Sequence, residues 1–373
     1  MSDTSAPETL QRTPLYDEHL ALGGRMVPFA GFEMPVQYAG ILEEHHATRA
    51  SAGIFDISHM AEFRVSGPDA KAFLQASLSN DLDKIDDIGA AQYTLLLDDE
   101  GHIIDDLIVY NTGNEYFIIA NASNRHHDFN WLSERVHTPK VFDVSLVDES
   151  DRTALIALQG PKSIAILREL AGEGWEVPAR FHIAEAVLNE SIPVLVARTG
   201  YTGEDGVELV VRNEDAPALW RMLLSFPEVS PVGLGARDTL RLEMGYHLYG
   251  NDMNRTRGPI EAGLGWVCPK GKTGYCGCEN VAKARSEGVG EKLAHLTVTG
   301  GVPREGYPVL NEEGERIGVI ASGSHSPTLC TGIATAYIPA SYVVAGTKLQ
   351  VQIRKRLGQA TVVKPPFLQR AEG

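Results

Sequence analysis

Two adjacent carboxylates, Asp105 and Asp106, stand in the middle of Ile103-Ile104-Asp105-Asp106-Leu107-Ile108-Val109-Tyr110, a run whose residue types favour a β-strand. Side chains alternate along a strand, so Asp106 is expected to share a face with Ile104, Ile108 and Tyr110, and Asp105 with Ile103, Leu107 and Val109. Both faces are otherwise apolar. A carboxylate taken out of water without a partner costs several kcal/mol or takes up a proton. At least one of the two acids is therefore expected to be paired or to look into a polar cavity. The competing reading is a strand-end acid that caps a neighbouring loop.

A second constellation follows at Gly200-Tyr201-Thr202-Gly203-Glu204-Asp205-Gly206-Val207-Glu208, a glycine-rich turn entering a strand. Glu208 alternates with Val207 and Leu209, so its carboxylate faces away from that apolar side. The glycines let backbone pass close to a planar ligand, although a plain tight turn uses them equally. Arg237 and Arg241 are four apart in a helical stretch, Gly235 to Met244, and share one face. Arg237, beside the glycine-containing entry, is placed to reach into a cleft; Arg241 reads as a surface cation paired with a nearby acid.

Metal chemistry finds little support. Cys268, Cys276 and Cys278 cluster, but C-x7-C-x-C is not a zinc spacing and no histidine lies near enough to complete one. Reduced structural thiols are expected, and no metal. His45 and His46 are neighbours on a helix read from Glu43 to Ala52, with Gly53 as its stop; they point to different sides and read as surface residues.

The elements that must position these groups are short. Ala61–Val65 reads as a strand, Gly67-Pro68 as a turn, and Asp69–Leu78 as an apolar-striped helix; the same unit recurs from Ala154 to Leu170 around Gly160-Pro161. In both, proline suits the first helical position. This echo points to two related α/β lobes. Between the two helices lie three strands joined by tight turns, AQYTLLL, HIIDDLIVY and YFIIANA. After Arg285 come only short strands and turns, the pattern of a small barrel or sandwich, with Arg354-Lys355-Arg356 at a hairpin tip.

The chain has 373 residues, enough for two or three domains, with 43% hydrophobic and 22% charged residues. Acidic residues (49) outnumber basic ones (33) by 16, a field that repels phosphate backbones and anionic membranes. Nucleic-acid and membrane partners are therefore not expected. Neither a leader of secretory or transit type nor an apolar run of spanning length is visible, which gives the cytosol as the expected location.

Taken in order, RTPLYDEHLALGGRMVPFAGFEMPVQY, GIFDISHM, GHIIDDLIVY, ALQGP, RTGYTGEDGVEL, GLGARDTLRLEMGYHLYGNDM, PIEAGLGW, SGSHSPTL and PPF resemble the aminomethyltransferase (T-protein) family of the glycine cleavage system along almost the whole chain. The resemblance implies an α+β, three-domain cloverleaf around a central folate cavity. Residues 1–55 and 150–285 would form a discontinuous first α/β lobe, 56–149 a second lobe carrying the aspartate strand, and 286–373 a C-terminal β-barrel. It implies tetrahydrofolate as co-substrate and the lipoyl-bearing H-protein as partner. Asp106 matches the family's essential acid; Tyr93, Tyr110, Asn121, Tyr201, Glu208 and Arg237 match positions lining its folate pocket. Three tyrosines would flank ring systems, Glu208 would offer two acceptors to a pterin edge, and Asp106, ionised at neutral pH unless burial raises it strongly, would act electrostatically.

The chain departs from the family pattern at His102, where a second glycine is usual, and at Phe32, where tryptophan is usual. GKTGYCGCENVAKAR is also unlike the family, while PPFLQR is similar to the family's ending with the spacing to Arg370 left open. Two other readings are a sister tetrahydrofolate-dependent demethylase of a small sulfur or amine compound, and a non-catalytic folate-binding assembly protein. For the latter, Lys270-Gly271 followed by Cys276 is a faint echo at the wrong spacing.

Overall fold

The structure is a computed structural model that describes residues 10–137 and 141–369; Arg370 lies outside them. A ribbon of β1 (Arg25–Phe29) and β2 (Phe32–Gln37) leads into the helix Ile41–Ala50 and then β3 (Ala52–Asp56). The helix therefore ends before Gly53, which is buried inside β3 instead of acting as a stop. A Cβ at Gly53 would meet the Val232 side chain at 2.8 Å, so close packing excludes a larger residue. His45 is also not a surface residue. It is fully buried, its ring nitrogens 2.8 Å from Thr239 Oγ1 and 2.9 Å from Thr328 Oγ1, while its neighbour His46 is exposed.

Two sheets follow with one strand order. The first contains β4 (Ala61–Ser66), β5 (Ala91–Leu97), β6 (Ile103–Asn111), β7 (Glu115–Ala120) and β8 (Ser145–Asp148), arranged β5-β6-β7-β4-β8. The second contains β9 (Thr153–Gln159), β10 (Ile183–Leu188), β11 (Ile192–Ala197), β12 (Gly206–Arg212) and β13 (Val229–Pro231). These run β10-β11-β12-β9-β3-β13, the same path with β3 slotted between β9 and β13. The echo around the two Gly-Pro turns is thus a repeat of whole topology. Helices Ala70–Ser77 and Ser163–Ala171 follow β4 and β9, and their buried positions recur every three or four residues (Ala70, Phe73, Leu74, Ser77; Ser163, Ile166, Leu167). Gly67 and Gly160 take φ +113° and +135°, which an L side chain rarely adopts. Pro68 and Pro161 lie two residues ahead of the first helical position, not at it.

The C-terminal part closes into a six-stranded barrel of β14 (Glu291–Thr299), β15 (Pro308–Leu310), β16 (Arg316–Ser326), β17 (Thr331–Pro339), β18 (Lys348–Ile353) and β19 (Arg356–Val363). Closure leaves no free sheet edge. Arg354 turns the β18–β19 hairpin at φ +56°. The barrel packs on the helix Leu234–Glu243 through two buried polar clusters. In one, Arg241 donates to Asp252 Oδ2 at 2.7 Å and to Ser322 Oγ at 2.9 Å, and Thr335 and Ser322 also donate to Asp252. In the other, Ser326 and Thr328 donate to Glu243, which Arg49 approaches to 2.8 Å. Arg241, only 2% exposed, is therefore a buried anchor and not a surface cation. Although burial opposes the charge, Arg241 and the hydroxyl donors hold the Asp252 carboxyl below its usual range.

Candidate active site

Asp106 projects from β6 between β5 and β7. β5 and β6 pair in register from Ala91↔Tyr110 to Leu96↔Asp105 and then slip, so that Leu97 faces Ile103 and Ile104 is an extra residue. The bulge breaks the alternation expected from sequence. Ile104 packs with Leu107 and Val109 beneath the helix Ala70–Ser77, while Ile103 joins Leu95, Leu97 and Met253. The two acids part company beyond it: Asp105 is fully buried and Asp106 only partly.

Tyr93 donates its hydroxyl to Asp106 Oδ2 at 3.0 Å. Asn121, just past β7, uses one amide nitrogen for both acids, 2.7 Å from Asp106 Oδ1 and 2.8 Å from Asp105 Oδ1. Burial first, and the Asp105 charge second, push the Asp106 carboxyl up to about 7, against the pull of the Tyr93 and Asn121 hydrogen bonds. The proviso attached to an ionised aspartate at neutral pH, that burial does not raise it strongly, is the one that applies. Burial is strong enough here to bring its titration to neutrality.

Glu208 faces the other way from Val207 and Leu209, as alternation requires, and is buried. Thr199 donates to its Oε2 at 2.5 Å, and Tyr110 lies 2.9 Å from the same Thr199 hydroxyl. The Tyr110 ring itself is fully buried against Phe117, so this tyrosine meets Thr199 through its hydroxyl and does not flank an open space. Arg237 lies over the Tyr201 ring, 4.7 Å from its centre, and its charge acts on Glu208 and Tyr201. Among the described residues no side chain accepts a hydrogen bond from its guanidinium. Burial raises the Glu208 carboxyl, and Thr199 and Arg237 moderate the rise. Tyr201 donates to the His247 carbonyl and feels the charges of both Asp106 and Arg237. Asp106 with Tyr93 and Asn121, Tyr201 with Arg237, and Glu208 with Thr199 thus form three contacting groups, and the Arg237 charge acts on both Tyr201 and Glu208.

Three contributors were not singled out from sequence. Thr199 couples Tyr110 to Glu208; its signal was its place beside Gly200, across the sheet from Glu208. Trp266 stacks on Tyr93 with ring centres 5.9 Å apart and is 65% exposed. Tyr246 stacks on Tyr201 at the same separation. Thr199 and Tyr246 lie in loops, and Trp266 in a single 3-10 turn, whose paths only the folded chain reveals.

Other positions fall outside these groups. Phe32 lines a separate cavity of about 250 Å³ with Arg12, His59 and Arg125, so its departure from tryptophan alters that space and not the surroundings of Asp106. His102 follows Gly101 in the β5–β6 turn without a left-handed backbone, and a glycine is not required there. Cys276 donates to Asp99 and touches Arg135, and burial pushes its thiol up to about 12. Cys278 opens the helix Cys278–Glu287. All four cysteines are free, and among the described residues no group of three or more His, Cys, Asp or Glu is arranged to hold a metal. No helix among them is long and apolar enough to cross a membrane.

Comparison with known proteins adds an independent line. The family described as "GCVT N-terminal domain" matches residues 15–272, and "Glycine cleavage T-protein C-terminal barrel domain" matches residues 292–369. An aminomethyltransferase of Chloroherpeton thalassium is 45% identical over 364 residues, 96% of this chain and 99% of the relative. One from Symbiobacterium thermophilum is 43% identical over 96% of this chain and 98% of its own. The crystal structure of glycine cleavage system aminomethyltransferase T from Bartonella henselae superposes with a TM-score of 0.90 at 35% identity, covering 96% of this chain and 98% of that one. These matches do not favour the demethylase or the assembly-protein reading. Two family domains spanning nearly the whole length, on a fold shared with a solved member, make the chain a member of the glycine cleavage T-protein family of aminomethyltransferases.

Proposed function

We propose that the chain moves a one-carbon unit from an aminomethyl group, held as a thioether on the lipoyl arm of an H-protein, to tetrahydrofolate, forming methylenetetrahydrofolate. The observation that carries this reading is the partly buried Asp106 carboxyl, held by Tyr93 and Asn121, with the Arg237 guanidinium lying over Tyr201, a ring that feels both charges. Loss of ammonia leaves an electron-poor carbon, which the folate ring nitrogen attacks. The carbon–sulfur bond then breaks, and the bridge nitrogen closes the ring. Each nitrogen gives up one proton; one protonates the departing thiolate and the other the ammonia. The transferred carbon is cationic in character when ammonia leaves and again when the carbon–sulfur bond breaks, and a fixed carboxylate beside it favours that charge.

An acid titrating near neutrality also suits proton acceptance from the bridge nitrogen, so Asp106 takes both parts in this reading. Glu208 has one oxygen engaged by Thr199 and the other left for the NH donors of a pterin edge. Arg237, with donors to spare, suits an anionic or carbonyl acceptor of the same ligand. Tyr93, Tyr201 and the exposed Trp266 supply aromatic faces, and Asn121 fixes the acid. The division into lobes 1–55 with 150–285, 56–149 and 286–373, and a cytoplasmic location, belong to the same proposal.

The test is direct: purified protein is titrated with tetrahydrofolate, aminomethylated lipoyl H-protein is added, and ammonia release is followed. Release that does not depend on tetrahydrofolate, or that proceeds without the lipoyl protein, removes the proposal. Glu208→Gln should weaken tetrahydrofolate binding by about 1.5–3 kcal/mol, roughly 10- to 100-fold in Kd, by loss of a charge-assisted acceptor. Titration calorimetry reads this, and unchanged affinity counts against the pterin role. The pH profile of kcat/KM follows from Asp106: its raised carboxyl is protonated below about 7, so transfer should rise with pH through that value and level off above it. A profile flat from acid to neutral pH would exclude Asp106 as the group whose ionisation matters.

A further inference from the structure

We propose that Asp128 is a positioning residue for the transfer: its carboxyl keeps its proton, donates it in a hydrogen bond to Asp105, and so sets the charge and orientation that Asp105 passes through Asn121 to Asp106. Asp105 is fully buried and accepts three N–H groups, from Asn121 Nδ2 at 2.8 Å, Asn124 Nδ2 at 2.8 Å and the Asn121 backbone at 3.1 Å. Three donors to one carboxyl mark it as the ionised partner.

Asp128, in the helix Arg125–Arg135, is equally buried, and no protein donor reaches either of its oxygens. It lies one helical turn beyond Asn124, whose amide bonds Asp105 at 2.8 Å, and so stands on the face of the helix turned to Asp105, whose charge it feels. Two buried carboxyls facing each other are compatible when a proton lies between them, and the acid without donors is the one that holds it. The groups around it agree. His127 Nδ1 stands 3.5 Å away without hydrogen-bond geometry, and Arg255 and Tyr249 face the pair from the loop opposite. Burial and the charges of Asp105 and Asp106 together outweigh Arg255 and drive the Asp128 carboxyl far up.

The consequence concerns Asp106. Asn121 divides one amide nitrogen between Asp105 and Asp106, so the position of Asp105 sets the position of Asp106. The Asp105 charge is also a main cause of the raised Asp106 titration, and a hydroxyl donor on Asp105 tempers that charge. Asp128 touches no reacting atom in this scheme; it acts through Asp105.

Two measurements test this, and only the second rests on the proposed reaction. In the infrared spectrum of the whole protein, at a pH above that at which Asp106, the raised Glu208 and Glu62, a buried acid of β4 that burial pushes up to about 8, ionise, a carbonyl-stretch band of a protonated carboxyl should persist and vanish in Asp128→Asn. A wild-type spectrum without the band, or a variant that keeps it, overturns the proposal even if the protein transfers nothing. In kinetics, Asp128→Ala removes a donor from Asp105, and the acid limb of kcat/KM should move to higher pH by on the order of one unit. Asp128→Asn, whose amide replaces the hydroxyl as donor, should return the limb to its wild-type position. A limb unmoved in Asp128→Ala, or moved equally in Asp128→Asn, means that the residue only fills space. Where Asp128→Ala does not fold, the isosteric Asp128→Asn and the infrared band still decide.

Discussion

Asp252→Ala should cost about 3–5 kcal/mol, because it strips a buried cation of its buried partner while leaving the cation in place. Arg241 would keep its contact with Asp238 at 2.9 Å, but that acid is nearly half exposed and cannot compensate a guanidinium that is 2% exposed. Thr335, Ser322 and the Leu248 amide would each lose an acceptor at once. The loss falls between the barrel and the helix Leu234–Glu243, so it should appear there first. A chain of several domains does not unfold in one step, and hydrogen exchange resolves the region better than a single melting point. Protection in β16 and in that helix should fall by the stated amount; unchanged protection would mean that apolar contacts alone hold the barrel in place.

Asp106→Asn should lower kcat by about 10²–10³-fold while leaving tetrahydrofolate affinity largely intact. The substitution removes charge and basicity but little shape. The Tyr93 hydroxyl can turn to accept from the new amide, and Asn121 still finds Asp105. Single-turnover transfer beside a binding titration separates the two quantities. Equal turnover in the two proteins would defeat the assignment of Asp106, and parallel losses of turnover and affinity would make it a binding residue.

What sequence could and could not reveal follows from distance along the chain. The aspartate pair was visible because its discomfort is local: two acids in eight residues of strand. Glu208 was visible for the same reason, since alternation with Val207 and Leu209 needs no knowledge of the rest of the fold. Arg241 and His45 were misjudged because what buries them arrives late. Ser322 lies 81 residues beyond Arg241, and Thr328 lies 283 residues beyond His45. The β5–β6 bulge was equally hidden, since a slip in pairing belongs to two strands and leaves no mark in either alone. The rise of Asp106 toward neutrality needed Asp105, Asn121 and the surrounding burial together. The Gly-Pro echo was real but understated: it signalled one strand and one helix, whereas the fold repeats the whole five-strand path.

The slotting of β3 between β9 and β13 bears on how the chain is made. Residues 61–148 supply a complete sheet from near neighbours and can settle early on the ribosome. Ala52–Asp56 leaves the ribosome before that sheet, yet its partners are Gly53↔Gln159 and Val229↔Ala52, so it must wait through about a hundred further residues of synthesis for the first and about seventy more for the second. Until then five residues destined for the interior expose two unpaired edges, and the nascent chain is open to association with its neighbours during that interval.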